Sequence, residues 1–184
     1  MSAEHVKSCI YVFMICKENI QKVYIYFLKI LPMSTWLMKS EPSEYSIDHL
    51  KKDGSSSWYG VRNYLARNYM RDLMQVWDRV LFYHSSCAEV GIAGIARVCS
   101  PAHADETQFI IWEKHYDPKS TREKPIWMCV DIEYVSKLPR IISIAELRST
   151  SWLEKMKILE KGNRLTITPL TEEEYAIISA LIKD

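Results

Sequence analysis

Several stretches of this sequence bring together side chains that stack, hydrogen-bond and carry charge: Trp36 with Lys39-Ser40-Glu41-Pro42, Trp58, Val61-Arg62-Asn63, His84-Ser85, and Asn163-Arg164-Leu165-Thr166. Aromatic rings present π-faces, Ser, Thr and Asn donate and accept, and Lys and Arg offset negative charge. That is the chemistry of holding a flat polar ligand, not of breaking its bonds. Each stretch also has a plain structural reading. Trp36 on a strand fits a core, Lys39 and Glu41 fit a solvated pair, and Arg62-Asn63 fit the start of a helix.

Signatures of catalysis are missing. The sequence holds no GxSxG, no P-loop and no GxGxxG, and Gly91-Ile92-Ala93-Gly94 is too short to cradle a phosphate. His84 and Ser85 are adjacent on a predicted strand and so point to opposite faces, which argues against their acting as base and nucleophile. His49, His103 and His115 sit in polar surroundings and read as exposed. Five scattered cysteines form no CxxC pair and no Cys/His ligand spacing, which argues against a disulfide framework and a structural zinc. The expectation is therefore no catalytic residue, no metal and no cofactor, in a reducing, intracellular setting: cytoplasmic, or nuclear in a eukaryote.

The elements that must position these residues begin after Pro32. In the 184-residue chain, 24 Lys and Arg face 23 Asp and Glu, which excludes a strongly basic protein but not a local basic patch. Residues 1–32 hold four of the Lys and two of the Glu, so residues 33–184 carry 20 basic and 21 acidic side chains. The two apolar runs in 1–32 are too short to cross a membrane, and no signal-peptide exit follows them. Residues 1–32 read as an appendage or an upstream start, and residues 33–184 as one domain.

Within that domain, Thr35–Lys39, Arg79–Ser85, Gly91–Ser100, Ile126–Leu138 and Leu165–Thr168 read as strands, the middle three antiparallel in one curved sheet. Ser46 caps a short helix over Ile47–Lys52, and Ser143/Glu146 and Thr171/Glu174 are capping boxes opening helices at about 144–149 and 172–182. Val61, Leu65, Tyr69 and Leu73 recur at i+4 and predict one apolar stripe on a helix of about three turns. No βαβ rhythm supports a doubly wound sheet.

Six blocks in order carry a more specific signal: Trp36–Pro42, Trp58–Asn68, Val80–Ser85, Gly91–Ala96, Tyr116–Ser120 and Gly162–Thr166. They resemble the EVE domain family over about four-fifths of the chain. The resemblance implies an α+β, PUA-like pseudo-barrel of mixed, mainly antiparallel strands with flanking helices. It is similar to the YTH and ASCH groups, whose members bind nucleobases in a pocket. Two departures stand out. Trp77 replaces a usual Gly in a turn, where a positive φ would strain it, and Tyr59 replaces a common Asp after the loop tryptophan.

A base reader needs an aromatic wall, apolar packing for a methyl group and a few edge-reading polar groups. Carried onto matching positions, the resemblance makes Trp58 the wall, with Trp36 second. Ser40, Asn63 and Ser85 read the edge, and Lys39, Glu41, Val61, His84 and Thr166 complete the pocket. Lys39, Arg62, Arg67 and Arg164 meet phosphates. The implied partner is DNA or RNA carrying a modified base, for example a methylated one, with no membrane. An enzyme acting on a nucleotide through the same pocket, and a protein-interaction module, remain as alternatives.

Overall fold

A computed structural model describes residues 33–183 of the chain. The expected extension over 1–32 lies outside the described residues. The chain order is β1 (Thr35–Ser40), α1 (Ile47–Asp53), β2 (Ser55–Ser57), α2 (Tyr64–Asn68), β3 (Arg79–His84), β4 (Gly91–Val98), β5 (His103–Ala104), β6 (Met128–Cys129), β7 (Asp131–Ser143), α3 (Ile144–Ser149), β8 (Ile167–Leu170) and α4 (Glu172–Lys183). Six strands form one mixed sheet in the order β2-β7-β4-β3-β1-β8, and β5 pairs with β6 separately. The sheet curls into a half-barrel flanked by helices, the α+β, PUA-like architecture.

Alternation along the strands divides the core. On one face of β1 and β3, Trp36, Met38, Val80 and Phe82 pack with Ile47 and Leu50 of α1 and Ala66 of α2. On the other, Leu37, Leu81 and Tyr83 pack with Leu147 of α3 and Ile178 of α4. Helices thus cover both faces, and β1 and β3 are buried in the middle.

The three strands expected to be antiparallel are so: β3 pairs with β4, and β4 with β7. β1, however, pairs parallel to β3, Thr35 opposite Arg79 through Ser40 opposite His84. The crossover between them holds a seven-residue and a five-residue helix, too short to give a periodic signal. The strand predicted over 126–138 is two elements, β6 and a β7 that continues through Pro139 to Ser143. Pro139 is accommodated because the β4–β7 register jumps from Gly94↔Lys137 to Ile92↔Ile142, which takes the proline out of the ladder.

The predicted apolar stripe does not form as spaced. α2 starts only at Tyr64 and passes into a π-turn over Tyr69–Leu73, with Met74 N–H bonded to the Tyr69 carbonyl. The wider turn shifts the phase, so Ala66, Met70 and Met74 are buried while Leu65 and Leu73 are exposed. Caps fare better. Ser46 and His49 form a reciprocal capping box on α1, and Thr171 and Glu174 form one on α4. Ser143 caps α3, but Glu146 turns to Arg140 instead of closing its box. Trp77 does sit at φ +81°, in the left-handed region, as its turn demands.

Candidate functional site

The C-terminal ends of β1 and β3 and the start of β8 meet at one end of the sheet. Lys39 N–H donates to the Thr166 carbonyl at 2.8 Å, and Ser85 N–H to the Ser40 carbonyl at 2.9 Å. The Ser86 hydroxyl donates to Glu41 Oε1 at 3.0 Å. Lys39, Ser40, Glu41, His84, Ser85 and Thr166, up to 127 positions apart in sequence, are brought together there. Alternation splits the strand residues: Ser40 and His84 fall on the face of Trp36 and Phe82, Lys39 on the face of Leu37 and Tyr83, while Ser85, just past the end of β3, donates its hydroxyl to the Ser40 carbonyl at 3.4 Å. Lys39 is half-buried and has no ion pair among the described residues, and burial lowers its pKa below the ordinary value.

His84 is buried, and its Nε2 accepts from Ile47 N–H, so the strand end anchors the start of α1. Burial lowers its pKa as well. Its ring stands edge-on to Phe82, which stands edge-on to Trp58 at 5.5 Å. That chain of rings connects Trp58 to the strand ends.

The tryptophans expected as walls are core residues. Trp36 is 3% exposed and donates its indole N–H to the buried Asp78 carboxylate at 2.9 Å. Trp58 is 8% exposed, as is Val61. A tryptophan beside a sheet gains more from burial than from waiting in solvent for a ligand. Asn63 spends its Oδ1 on capping α2, accepting from Leu65 and Ala66 N–H at 3.0 and 3.1 Å. Its amide NH2 has no partner among the described residues.

Arg62 is not an open cation. It ion-pairs with the 1%-exposed Asp105 at 2.7 Å, donates to Thr107 Oγ1 at 3.0 Å, and donates from two nitrogens to the His115 carbonyl. Asp105 also accepts from Gly60 N–H and Thr107 N–H. Burial alone would raise the Asp105 pKa. The bonds from Arg62, Thr107 and Gly60, with the Arg62 charge, outweigh it and hold the carboxyl below its ordinary value. Gly60, at φ +79°, is required twice over, because a Cβ there would lie 2.8 Å from the His115 ring.

Arg67 is also engaged, donating to the Ile126 carbonyl at 2.8 Å and lying over the Tyr64 ring, which stacks on Trp127. Arg164, in contrast, is exposed. Of the histidines read as exposed, His49 is, while His103 and His115 are half-buried. Position-by-position reading missed this clamp. Asp105, Gln108 and Trp127 are knitted by main-chain bonds to a buried amide, Gln108 donating to the Asp105 and Trp127 carbonyls at 2.8 Å each. No local pattern marks a lone glutamine as buried.

One further group looks catalytic by type. Cys129 Sγ lies 3.5 and 3.8 Å from the two His103 ring nitrogens, and His103 Nε2 lies 3.0 Å from Asp131 Oδ1. Burial, reinforced by the charges of Asp105 and Asp131, pushes the thiol up to about 12. It stays protonated at neutral pH and supplies no nucleophile.

Comparison with known proteins places the chain in a family. The chain is 40% identical over 166 residues to human thymocyte nuclear protein 1, covering 80% of this chain and 73% of that protein. A crystal structure of a Pseudomonas putida protein matches with a TM-score of 0.78 and 43% identity, over 80% of this chain and 99% of that one. The crystal structure of the human THYN1 protein in complex with DNA containing 5-methylcytosine matches with a TM-score of 0.77 and 38% identity, over 83% and 99%. Residues 34–181 match the EVE domain, and the chain belongs to that family.

Proposed function

We propose that this chain is a non-catalytic DNA-binding domain that recognises a methylated base, 5-methylcytosine first among them. The observation that carries the reading is its similarity to the human THYN1 protein, whose structure holds 5-methylcytosine DNA. The base is received beside the joined ends of β1 and β3. Ser40, Ser85 and the Asn63 amide NH2 read its edge. Trp58, Val61 and Trp36 back the hollow from within the core, and Glu41, His84 and Thr166 complete it. Lys39, Arg67 and Arg164 meet phosphates, while Arg62 holds the wall through Asp105 instead of touching the ligand. A base in a duplex must be flipped out, at a cost of a few kcal/mol that the pocket contacts offset. Such a protein works where the DNA is, in the nucleus of a eukaryote or the cytoplasm of a bacterium. Among the described residues no helix is long and apolar enough to cross a membrane.

The test is fluorescence anisotropy with matched duplexes carrying cytosine or 5-methylcytosine, and their RNA counterparts. Preference for methylated DNA by roughly tenfold or more is expected. Equal affinity for all four overturns the reading. Asn63→Ser keeps the helix cap and removes the amide, so it narrows the preference while leaving Tm near wild type.

A further inference from the structure

The 17 residues Arg148–Arg164 carry five Lys and Arg against two Asp and Glu, in a domain whose acids otherwise outnumber its bases. The segment leaves α3 and returns to β8, and its far end is bonded to β1 where Lys39 N–H meets the Thr166 carbonyl. It therefore borders the strand ends at which the base is proposed to bind. Its apolar side chains Leu153, Met156 and Ile158 are buried in the core. Its polar ones face out: Lys155, Lys161 and Arg164 are exposed and make no ion pair among the described residues. Asn163 ties the loop to itself, donating to the Lys157 carbonyl and accepting from Leu165 N–H at 2.8 Å.

At the head of this strip Trp152 is 83% exposed and held at φ +72°. It occupies a turn closed by Leu153 N–H on the Thr150 carbonyl, at a φ that Gly or Asn normally supplies. The conformation strains a bulky residue, and here no burial repays it. An indole kept strained and wet beside Lys155, in a loop that carries two more open cations, has the make-up of a DNA contact, a ring to stack on or wedge between bases and charges for the flanking phosphates.

We infer that Arg148–Arg164 is a second DNA-contacting strip, in which Trp152 stacks against bases next to the recognised one while Lys155, Lys161 and Arg164 bind the backbone. The inference rests on the DNA-binding reading above, and the experiment separates the two. Affinity of the full chain for a 5-methylcytosine duplex and its unmethylated match is measured against salt. The triple variant Lys155→Ala/Lys161→Ala/Arg164→Ala is expected to weaken both duplexes alike and to flatten the log–log salt slope by roughly 2–3. Trp152→Gly is expected to raise Tm, by relieving the turn, yet to weaken duplex binding by roughly tenfold. Higher stability with lower affinity is an outcome that a purely structural tryptophan does not give. If wild type prefers methylated DNA while both variants bind as wild type does, the strip is overturned and the base-reading proposal stands. If wild type binds with salt-dependent, variant-sensitive affinity but no methyl preference, the strip stands and base reading fails. A wild type that binds no DNA overturns both.

Discussion

The aromatic face of the sheet and the loop from Arg148 to Arg164 use tryptophan in opposite ways. On the sheet, Trp36 and Trp58 are enclosed by β1, β3 and the short helices, and Trp36 even spends its N–H on a buried carboxylate. In the loop, Trp152 is exposed and strained, with Lys155 beside it. All six tryptophans divide this way: Trp36, Trp58 and Trp127 are buried, and Trp77, Trp112 and Trp152 are exposed. Residue type therefore announces capacity for stacking, but only burial tells whether that capacity is spent on the fold or kept for a ligand. The same holds for arginine, since Arg62 is consumed by Asp105 while Arg164 is open.

The largest effect that could break this contrast is Trp58→Ala. If the sheet face is core, the variant loses about 3–5 kcal/mol in urea unfolding, as large-to-small core changes do. A loss below ~1 kcal/mol would return Trp58 to the ligand-facing class. Asp105→Ala should cost a similar amount, roughly 3–5 kcal/mol, because it leaves Arg62 partly buried without its counter-charge. A variant as stable as wild type would show the clamp to be ornamental and Arg62 free for phosphate.

A smaller effect concerns His84, the strand-end residue that touches both core and site. Its pKa is lowered from 6.5 chiefly by burial, opposed by Asp48 and aided by Lys137. The unfolded chain therefore takes up the proton first. The stability linked to neutral His84 is present above about 6.5 and is lost as pH falls through the lower folded value. His115 has the same sign, also through burial, so wild type should weaken as pH falls below about 6.5. His84→Gln retains an acceptor for Ile47 N–H without titrating and should remove part of that slope. An unchanged slope would place the titration elsewhere.

The smallest expected change is at Trp77, which is 58% exposed at φ +81° with Arg97 over its ring. Trp77→Gly relieves the backbone but forfeits the cation–π contact, so a gain of less than about 1 kcal/mol is predicted by thermal melting. A clear loss would mean the ring does more packing than its exposure suggests.

What the sequence determined by itself is local. Ser46, Ser143 and Thr171 mark helix starts because a cap needs an acceptor only two or three residues from its donors. Alternation in Arg79–His84 and Gly91–Val98 reveals strands for the same reason, as does the Pro42 stop after β1. The ordered blocks carried the fold further, since several short patterns in a fixed order restrict the architecture more than any one of them. Tertiary structure decided the rest. The parallel pairing of β1 with β3 depends on a crossover whose helices are too short to read. Arg62 met a partner 43 positions away, and Trp36 one 42 positions away. Burial is the sum of contacts from distant segments, and a window of ten residues contains none of them. That is why the sequence could point to Trp58 and Arg62 as residues able to bind, and only the folded chain could show them already bound to itself.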